Sequence, residues 1–258
     1  MELGIEGRVA MVAAASKGIG LATARALAAE GCRVSVCARG EQALGEACAV
    51  IGGTVRGYVA DVSVAADLER WVSHTTSELG VPDILVTNTG GPPAGTLEAM
   101  TDQQWQQGFE STLLNIIRLV RLVGPGMAER GWGRVVHVTS LVAVEPSAVL
   151  PISSTLRMGI RNLTRLQADQ LAPSGVTVNA VLPGHTLTDR QRHLAQIRAG
   201  REGISEEEAL QRQADAVPMN RLAEAAEIAD AIVFLCSERA SYITGTSLLV
   251  DGGMTRGG

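Results

Sequence analysis

The sequence predicts an α/β protein built on one parallel β-sheet with helices covering both faces. Three observations predict this class. Short apolar runs alternate with helical patterns along the chain of 258 residues. The runs are continuously apolar, as in strands buried on both faces, and glycine or polar residues follow most of them. Hydrophobic residues make up 46% and charged residues 19% of the chain, which allows a sizeable core in a single domain over residues 1–258.

The elements follow in order from this alternation. The predicted strands cover residues 9–15, 33–38, 55–60, 84–88, 134–139, 176–182 and 247–250. Helices are predicted over 19–30, 41–51, 65–79, 154–171 and 224–236, with one long helical region over 101–130 that is kinked near Pro125. Two glycines and two prolines make 89–93 a loop. The polar segment 185–222 is predicted to hold two short helices, 190–199 and 206–214.

Charge and composition exclude several classes of function. The net charge of −5 argues against a surface for nucleic acid or anionic membranes. No apolar run approaches the ~20 residues of a membrane span, and the first residues lack a signal-peptide pattern. The four cysteines show no metal-ligand spacing. We therefore expect a cytoplasmic protein with reduced thiols and no metal site.

The turn between the first strand and the first helix is the main candidate binding feature. It contains Ser16, Lys17, Gly18, Ile19 and Gly20. A helix N-terminus here would present free N–H groups to an anion. Gly18 would let a pyrophosphate approach the backbone, and Gly20 would let the helix lie close to the strand. The alternative is an ordinary strand–helix corner.

Other small and polar residues follow further strands of the same predicted sheet. They are Arg39, Asp61, Asn88, Gly90, Thr139, Ser140, Pro183 and Gly184. Because the carboxyl ends of parallel strands meet at one edge, these residues predict a dinucleotide cleft there.

These motifs give the chain a resemblance, over nearly its whole length, to the short-chain dehydrogenase/reductase family, and within it to 3-oxoacyl-[acyl-carrier-protein] reductases. Residues 13–20 match the TGxxxGxG loop with Ala14 at its first glycine, and 87–90 match NNAG with Thr87 at its first position. Residues 178–184 with Thr188 match VNxxxPGxxxT. The resemblance implies a Rossmann-type doubly wound sheet of seven parallel strands, a small-molecule substrate and a homotetramer or homodimer.

The resemblance also implies roles for cofactor-binding residues. Asp61 and Val62 match the pair that meets the adenine, and Pro183, Gly184 and Thr188 match the stretch beside the nicotinamide. The second strand ends without the acidic residue that would bind a ribose 2′-hydroxyl. Lys17 and Arg39 could instead hold a 2′-phosphate, so NADP is expected as cofactor and NAD is less favoured. The alternative for Arg39 is a solvated loop residue.

The catalytic pattern departs from the family's Asn, Ser, Tyr and Lys. Ser140 stands at the serine position, whereas the register of the following helix puts Ser153 at the tyrosine and Arg157 at the lysine. The chain's tyrosines are Tyr58 and Tyr242, and its one lysine is in the phosphate loop. The asparagine position falls on Thr112, with Asn115 one turn away as a stand-in.

This departure weakens the expected proton transfer. A serine hydroxyl is a far weaker acid than a phenol, so Ser153 could hold a water or orient a substrate. Arg157 could bond the nicotinamide ribose but cannot give up a proton. Alternatively, Arg157 reflects a bias of the chain, since all but one of its 22 basic residues are arginine. His185, directly after Gly184, is a candidate proton donor. Alternatively, His185 only lines the pocket. Glu145 is a second, lower-ranked candidate.

Three hypotheses for function remain open from the sequence. The first is an NADP-dependent oxidoreductase of a carbonyl or hydroxyl group, with a non-standard proton relay through Ser140 and either His185 or water. The second is a pseudoenzyme that binds a dinucleotide and serves as a sensor or partner subunit. The third is a cofactor-assisted isomerase or lyase. The segment 185–222 is predicted to be a substrate lid.

Overall fold

Seven parallel strands form one sheet within residues 2–256, the part of the chain that this computed structural model describes. The strands are β1 (Val9–Val12), β2 (Arg33–Ala38), β3 (Val55–Val59), β4 (Ile84–Thr87), β5 (Gly133–Val138), β6 (Val176–Pro183) and β7 (Ser247–Val250). Their order is β3-β2-β1-β4-β5-β6-β7. The predicted seven-stranded, doubly wound sheet is confirmed. The strand order reverses between β1 and β4, where ligands of open α/β sheets bind.

Helices cover both faces of this sheet. They are α1 (Gly18–Ala29), α2 (Glu41–Ile51), α3 (Ala65–Glu78), α4 (Asp102–Phe109), α5 (Asn115–Glu129), α6 (Pro151–Leu171), α7 (Asp189–Glu202), α8 (Glu206–Asp215) and α9 (Ala225–Leu235). On one face, Leu27 of α1 and Ile232 of α9 belong to the same buried cluster. On the other, Trp71 of α3, Leu119 of α5 and Ala168 of α6 share a second cluster. The continuous apolar runs of the strands supply both clusters.

The long helical region differs from its prediction. Instead of one helix kinked near Pro125, α4 and α5 are joined by a π-helical segment, Glu110–Leu114. Helix α5 continues through Pro125. Pro125 is exposed, so water can satisfy the helix carbonyl that a proline cannot reach. Single π-turns inside helices are frequent at functional sites, and this one adjoins the cleft described below.

Helix α6 begins three residues before the predicted start, at Pro151. Proline is favoured at the first helical position because its φ is already helical and its missing N–H would have no partner there. The early start places Ser153 in the first turn of α6. Arg157 then lies one turn later on the same side of the helix, since residues four apart are neighbours on a helix surface.

The polar segment 185–222 forms α7 and α8, both longer than predicted. Thr188 and Ser205 cap them, each accepting a backbone N–H with its hydroxyl. Three buried alanines, Ala195, Ala199 and Ala209, form a small apolar cluster between the two helices. The segment is therefore a helical pair with a core of its own. Its role as a substrate lid stays a prediction.

Within the described residues, no helix is long and apolar enough to cross a membrane.

Candidate active site

A cleft of about 420 Å³ opens at the carboxyl ends of β1 to β6. Most residues that the sequence predicted for cofactor binding or catalysis line it. They are Ser16, Lys17, Gly18, Ile19, Arg39, Asp61, Val62, Asn88, Gly90, Ser140, Ser153, Arg157, Pro183, Gly184 and Thr188. Gly20 and His185 are not among the described residues on its wall.

The turn before α1 presents unpaired backbone donors to this cleft. Helix α1 starts at Gly18, which has φ +57°, and no side chain of the described residues caps it. The first N–H groups of the helix are therefore free for an anion. Gly20 lies behind the cleft, where a Cβ would come within 2.6 Å of the Ala14 carbonyl oxygen. That contact is why glycine is needed for α1 to lie so close to β1.

Ala14 occupies the first motif position in a conformation that glycine normally takes. Its φ is +49°, in the left-handed region that disfavours residues with a Cβ. The Asn88 side chain donates from Nδ2 to the Ala14 carbonyl oxygen at 3.3 Å, which joins the β1 turn to the end of β4. Alanine is tolerated here with backbone strain.

The charged residues near the β2–β3 end of the cleft differ in their bonding partners and exposure. The Asp61 carboxylate accepts hydrogen bonds from the backbone N–H and the hydroxyl of Ser63 at 2.9 and 2.7 Å. The Lys17 ammonium lies 3.0 Å from the Asp189 carboxylate at the start of α7, and both side chains are largely exposed. Arg39 is exposed at the end of β2. The cleft wall at this end is therefore cationic at Arg39, while Lys17 already has an acidic partner.

Ser140, Ser153 and Arg157 line the β5 end of the cleft. Ser140 follows β5, and its Oγ accepts the Val142 N–H at 3.4 Å. Arg157 is buried; its Nε donates to Ser153 Oγ at 3.1 Å and its Nη1 to the Val138 carbonyl oxygen at 3.3 Å. Because Ser153 Oγ accepts this bond, its own proton remains available to the cleft.

Arg157 carries a charge that its surroundings do not favour. Burial, and to a smaller degree the charge of nearby Arg190, lower the pKa of Arg157 to about 10. The guanidinium still stays protonated at neutral pH. It therefore keeps a positive charge at the lysine position predicted from the resemblance.

His185 is not among the described residues that line the cleft with Ser140 and Ser153. Residues 184, 186 and 188 line the cleft, and His185 faces a separate recess with Val217 and Arg221. Thr186 forms an isolated bridge with Ala223, and the Nδ1 of His185 lies 3.3 Å from the Nε2 of Gln191, a residue of the cleft wall. Burial, followed by the charge of Arg198, lowers the pKa of His185. The proposal that His185 donates a proton gains no support from this position.

The other stand-ins also lie off the cleft wall. Thr112 is buried in the π-helical segment, and Asn115 is buried with its Nδ2 donating to the Ser111 carbonyl oxygen at 2.9 Å. Ser111 itself lines the cleft instead. The exposed Glu145 accepts the Arg256 backbone N–H at 3.3 Å.

The two tyrosines also lie outside the cleft. Tyr242 is fully exposed, with a relative exposure of 102%, and Tyr58 lies in β3 against the ring of His74. Neither is among the described residues that line the cleft.

Sequence reasoning missed several residues of the cleft wall. They are Thr186, Asp189, Arg190, Gln191 and Leu194, besides Ser111. The residues of α7 required the exact start of that helix.

The residues present fit a dinucleotide. The uncapped start of α1 suits a pyrophosphate, and Arg39 suits a further phosphate. Thr139 supplies an independent indication, because its Oγ1 is buried in the cleft with no hydrogen-bond partner among the described residues. An unpaired buried hydroxyl is costly, so a hydrogen-bond partner that a bound group brought to Thr139 would be stabilising.

Fold and cleft together define a dinucleotide-binding α/β protein. More particularly, the chain belongs to the short-chain dehydrogenase/reductase family. A family described as Enoyl-(Acyl carrier protein) reductase matches residues 13–255. The 3-oxoacyl-[acyl-carrier-protein] reductase FabG of Salmonella typhimurium is 34% identical over 252 residues, covering 98% of this chain and 99% of the relative. Nodulation protein G of Azospirillum brasilense is 35% identical, with coverage of 96% and 98%.

Solved structures agree with this assignment. L-sorbose reductase from Gluconobacter frateurii, complexed with NADPH and L-sorbose, superposes with a TM-score of 0.95 at 34% identity, and each chain is covered completely. A single-residue variant of actinorhodin polyketide ketoreductase with NADPH gives a TM-score of 0.93 at 32% identity, with 96% of this chain and 97% of the other covered. The chain is thus similar to reductases over its full fold.

Proposed function

We propose that this protein is an NADP-dependent oxidoreductase acting on a carbonyl or hydroxyl group of a small molecule, with a non-standard active site. The observation that carries the proposal is that Ser140, Ser153 and Arg157 share one cleft with the uncapped start of α1. The similarity to 3-oxoacyl reductases and to NADPH-bound reductases supports the reaction class.

The cofactor preference follows from charge at the end of β2. Arg39 would pair with the 2′-phosphate of NADP, and no acidic residue follows β2 to bind a 2′-hydroxyl of NAD. The remaining cofactor-binding residues are proposed to be Ser16, Lys17, Gly18, Ile19, Gly20, Asp61, Val62, Asn88, Gly90, Arg157, Pro183, Gly184 and Thr188, with Arg157 at the nicotinamide ribose. In this arrangement Lys17 exchanges its contact with Asp189 for a cofactor phosphate.

The reaction needs polar groups around the carbonyl oxygen. When bound, the reduced nicotinamide supplies a hydride to the substrate carbon. Ser140 and Ser153 donate hydrogen bonds to the substrate oxygen, and negative charge that develops there is stabilised by the positive Arg157 behind Ser153. Arg157 acts through Ser153, whose proton it directs towards the cleft. The proton would come from solvent through a water in the cleft, because Arg157, which is bonded to Ser153, cannot give up a proton to replace one that the serine lost.

The test uses NADPH consumption on a panel of ketones. A positioned general acid is typically worth ~10²–10⁴-fold, so the native protein should be slower than reductases with tyrosine by roughly that factor. Ser140→Ala should abolish turnover, and Ser73→Ala, at an exposed serine of α3 outside the cleft, should leave it unchanged. Turnover that is as fast as in ordinary reductases and insensitive to Ser140→Ala would refute this site.

The placement of both tyrosines outside the cleft favours a second candidate, a dinucleotide-binding pseudoenzyme. Such a protein would bind NADPH without turning over any ketone of the panel. In that case the double variant Ser153→Tyr with Arg157→Lys should create reduction of simple ketones. Activity already present in the native protein would exclude this candidate.

The homo-oligomeric assembly stays a prediction, as a tetramer or a dimer.

A further inference from the structure

Two arginines converge on one point of the cleft wall. The Arg157 Nη2 and the Arg190 Nε each lie 3.8 Å from the position that a Cβ on Gly91 would occupy. Arg157 reaches this point from the first turns of α6, and Arg190 from the first turn of α7. Because both donors lie so near the same point, a single oxyanion could bridge them. Each of its two oxygens would then accept one hydrogen bond of about 2.8 Å.

Both guanidinium groups are fixed and keep donors free. The Arg157 Nε and Nη1 are bonded to Ser153 and Val138, and the Arg190 Nη2 donates to the Pro92 carbonyl oxygen at 2.6 Å. Within residues 2–256, the Arg157 Nη2 and the Arg190 Nε have no hydrogen-bond or ion-pair partner. Positioned donors of this kind cost little ordering entropy when they bind a ligand.

No acid of the cleft balances the two charges. Among the described residues on the cleft wall the carboxylates are Asp61 and Asp189, and these are engaged by Ser63 and Lys17. Burial is the main cause that lowers the pKa of both Arg157 and Arg190. An anion at Gly91 would relieve this unfavourable placement of charge.

The position of the pair separates it from the proposed phosphate sites. The α1 start and Arg39 follow β1 and β2, whereas Arg157 is bonded to the end of β5 beside Ser140. The sheet order puts β4 between these two regions. The arginine pair therefore lies at the end of the cleft where the reacting carbonyl is proposed to bind.

We propose that Arg157 and Arg190 bind an oxyanion of the substrate, a carboxylate or a phosphate, so that the substrate is an anionic ketone or alcohol. The ketone or alcohol part of this inference rests on the proposed function. The anion site itself does not depend on it. The planar fork of arginine suits both oxyanions, and ketones that carry each group distinguish them. A neutral ketone of the same skeleton lacks the contact.

The experiment compares matched pairs of ketones with NADPH. The probes are 3-oxobutanoate against its ethyl ester, and dihydroxyacetone phosphate against dihydroxyacetone. We expect the anionic member of at least one pair to have a kcat/KM roughly 10- to 100-fold higher, the range for a charge-assisted hydrogen bond. Preference for the acid pair identifies a carboxylate site, and preference for the phosphate pair a phosphate site.

Variants at Arg190 test which residues make the preference. Arg190→Gln should remove the advantage of the anionic ketone while the neutral ketone is converted as before, and Arg190→Lys should restore only part of it. Arg192→Gln is the matched control, because Arg192 lies two residues away on α7, is exposed, and is not on the cleft wall. It should leave the preference intact.

Binding measurements separate the anion site from catalysis. Calorimetric titration of the NADPH-loaded protein with the same four compounds needs no turnover. Anion binding that Arg190→Gln abolishes, in a protein that reduces nothing, would uphold the site and refute the proposed function. Equal binding of charged and neutral ketones would overturn the inference, since the arginine pair would then bind no substrate anion. An Arg190→Gln variant that loses affinity for NADPH rather than for the anion would also overturn it, since the pair would then serve the cofactor.

Discussion

Acidification is expected to destabilise this protein through His137. The ring is fully buried in β5. Its Nδ1 lies 2.9 Å from the Thr87 hydroxyl and its Nε2 lies 2.8 Å from Gln167 Oε1. One ring nitrogen accepts and the other donates, so both bonds suit the neutral imidazole. Burial is the main cause that lowers the pKa of His137 to about 4.

The sign and size of the effect follow from this pKa. The folded protein binds fewer protons at His137 than the unfolded chain between pH 6.5 and about 4. The stability contributed by neutral His137 is therefore complete above pH 6.5 and is lost as the pH falls towards 4. At about 1.4 kcal/mol per pH unit the whole loss is about 3 kcal/mol, of which about 2 kcal/mol has gone by pH 5.

Urea unfolding of the native protein and of His137→Gln at pH 7.5 and pH 5 measures this loss. Carboxylates with a lowered pKa, such as Glu227, add to the pH dependence of both proteins and cancel in the comparison. The native protein should lose about 2 kcal/mol more than His137→Gln between the two pH values. His193→Gln, at an exposed histidine of α7, should behave like the native protein.

Equal losses in the native protein and His137→Gln would refute the reasoning. If the variant does not fold, NMR titration of the native histidine rings gives the same information. A ring that titrates near pH 6.5 in the folded protein and belongs to His137 would contradict the expected pKa.

Two further predictions concern the cofactor end of the cleft. Arg39→Ala should weaken NADPH binding roughly 10-fold at low salt and less at high salt, with NADH unaffected; fluorescence titration checks this, and an equal loss for NADH would contradict it. Ala14→Gly should raise the free energy of unfolding by about 1 kcal/mol, because it relieves the strain of a positive φ. Ala13→Gly is its control in urea unfolding and should lower that free energy instead; a loss of stability in both variants would contradict the strain at Ala14.

The order of strands and helices could be predicted because one signal runs through the whole chain. Strands buried on both faces need continuous apolar runs, and helices between them need an apolar face, so the alternation of patterns determines the fold. The bounds of β2, α2 and β7 agree with the structure residue for residue. Errors lie where backbone geometry overrides the pattern, as at Pro151, which starts α6 early, and at the π-helical segment Glu110–Leu114.

Motif spacing predicted which residues line the β1 end of the cleft for a related reason. Glycines at a turn leave backbone N–H groups exposed whatever the neighbouring side chains do. The binding group is then the main chain itself, and its position follows from the strand–helix junction. Gly18 and Gly20 could thus be assigned different tasks from sequence, and they differ in the structure as well, one on the cleft wall and one behind it.

The part of the cleft wall that follows β6 depends on side-chain direction, which spacing in the sequence does not give. His185 and Arg190 are both polar residues shortly after Gly184, and His185 is the nearer of the two. Thr186, which forms a bridge with Ala223, lies on the cleft wall, whereas His185 lines a separate recess. The change to helix at Asp189 then brings Arg190 back beside Arg157. A different start of α7 would change which of its side chains reach the cleft wall. Which residues line this cleft therefore depends on the start of α7 as much as on the residue types that follow Gly184.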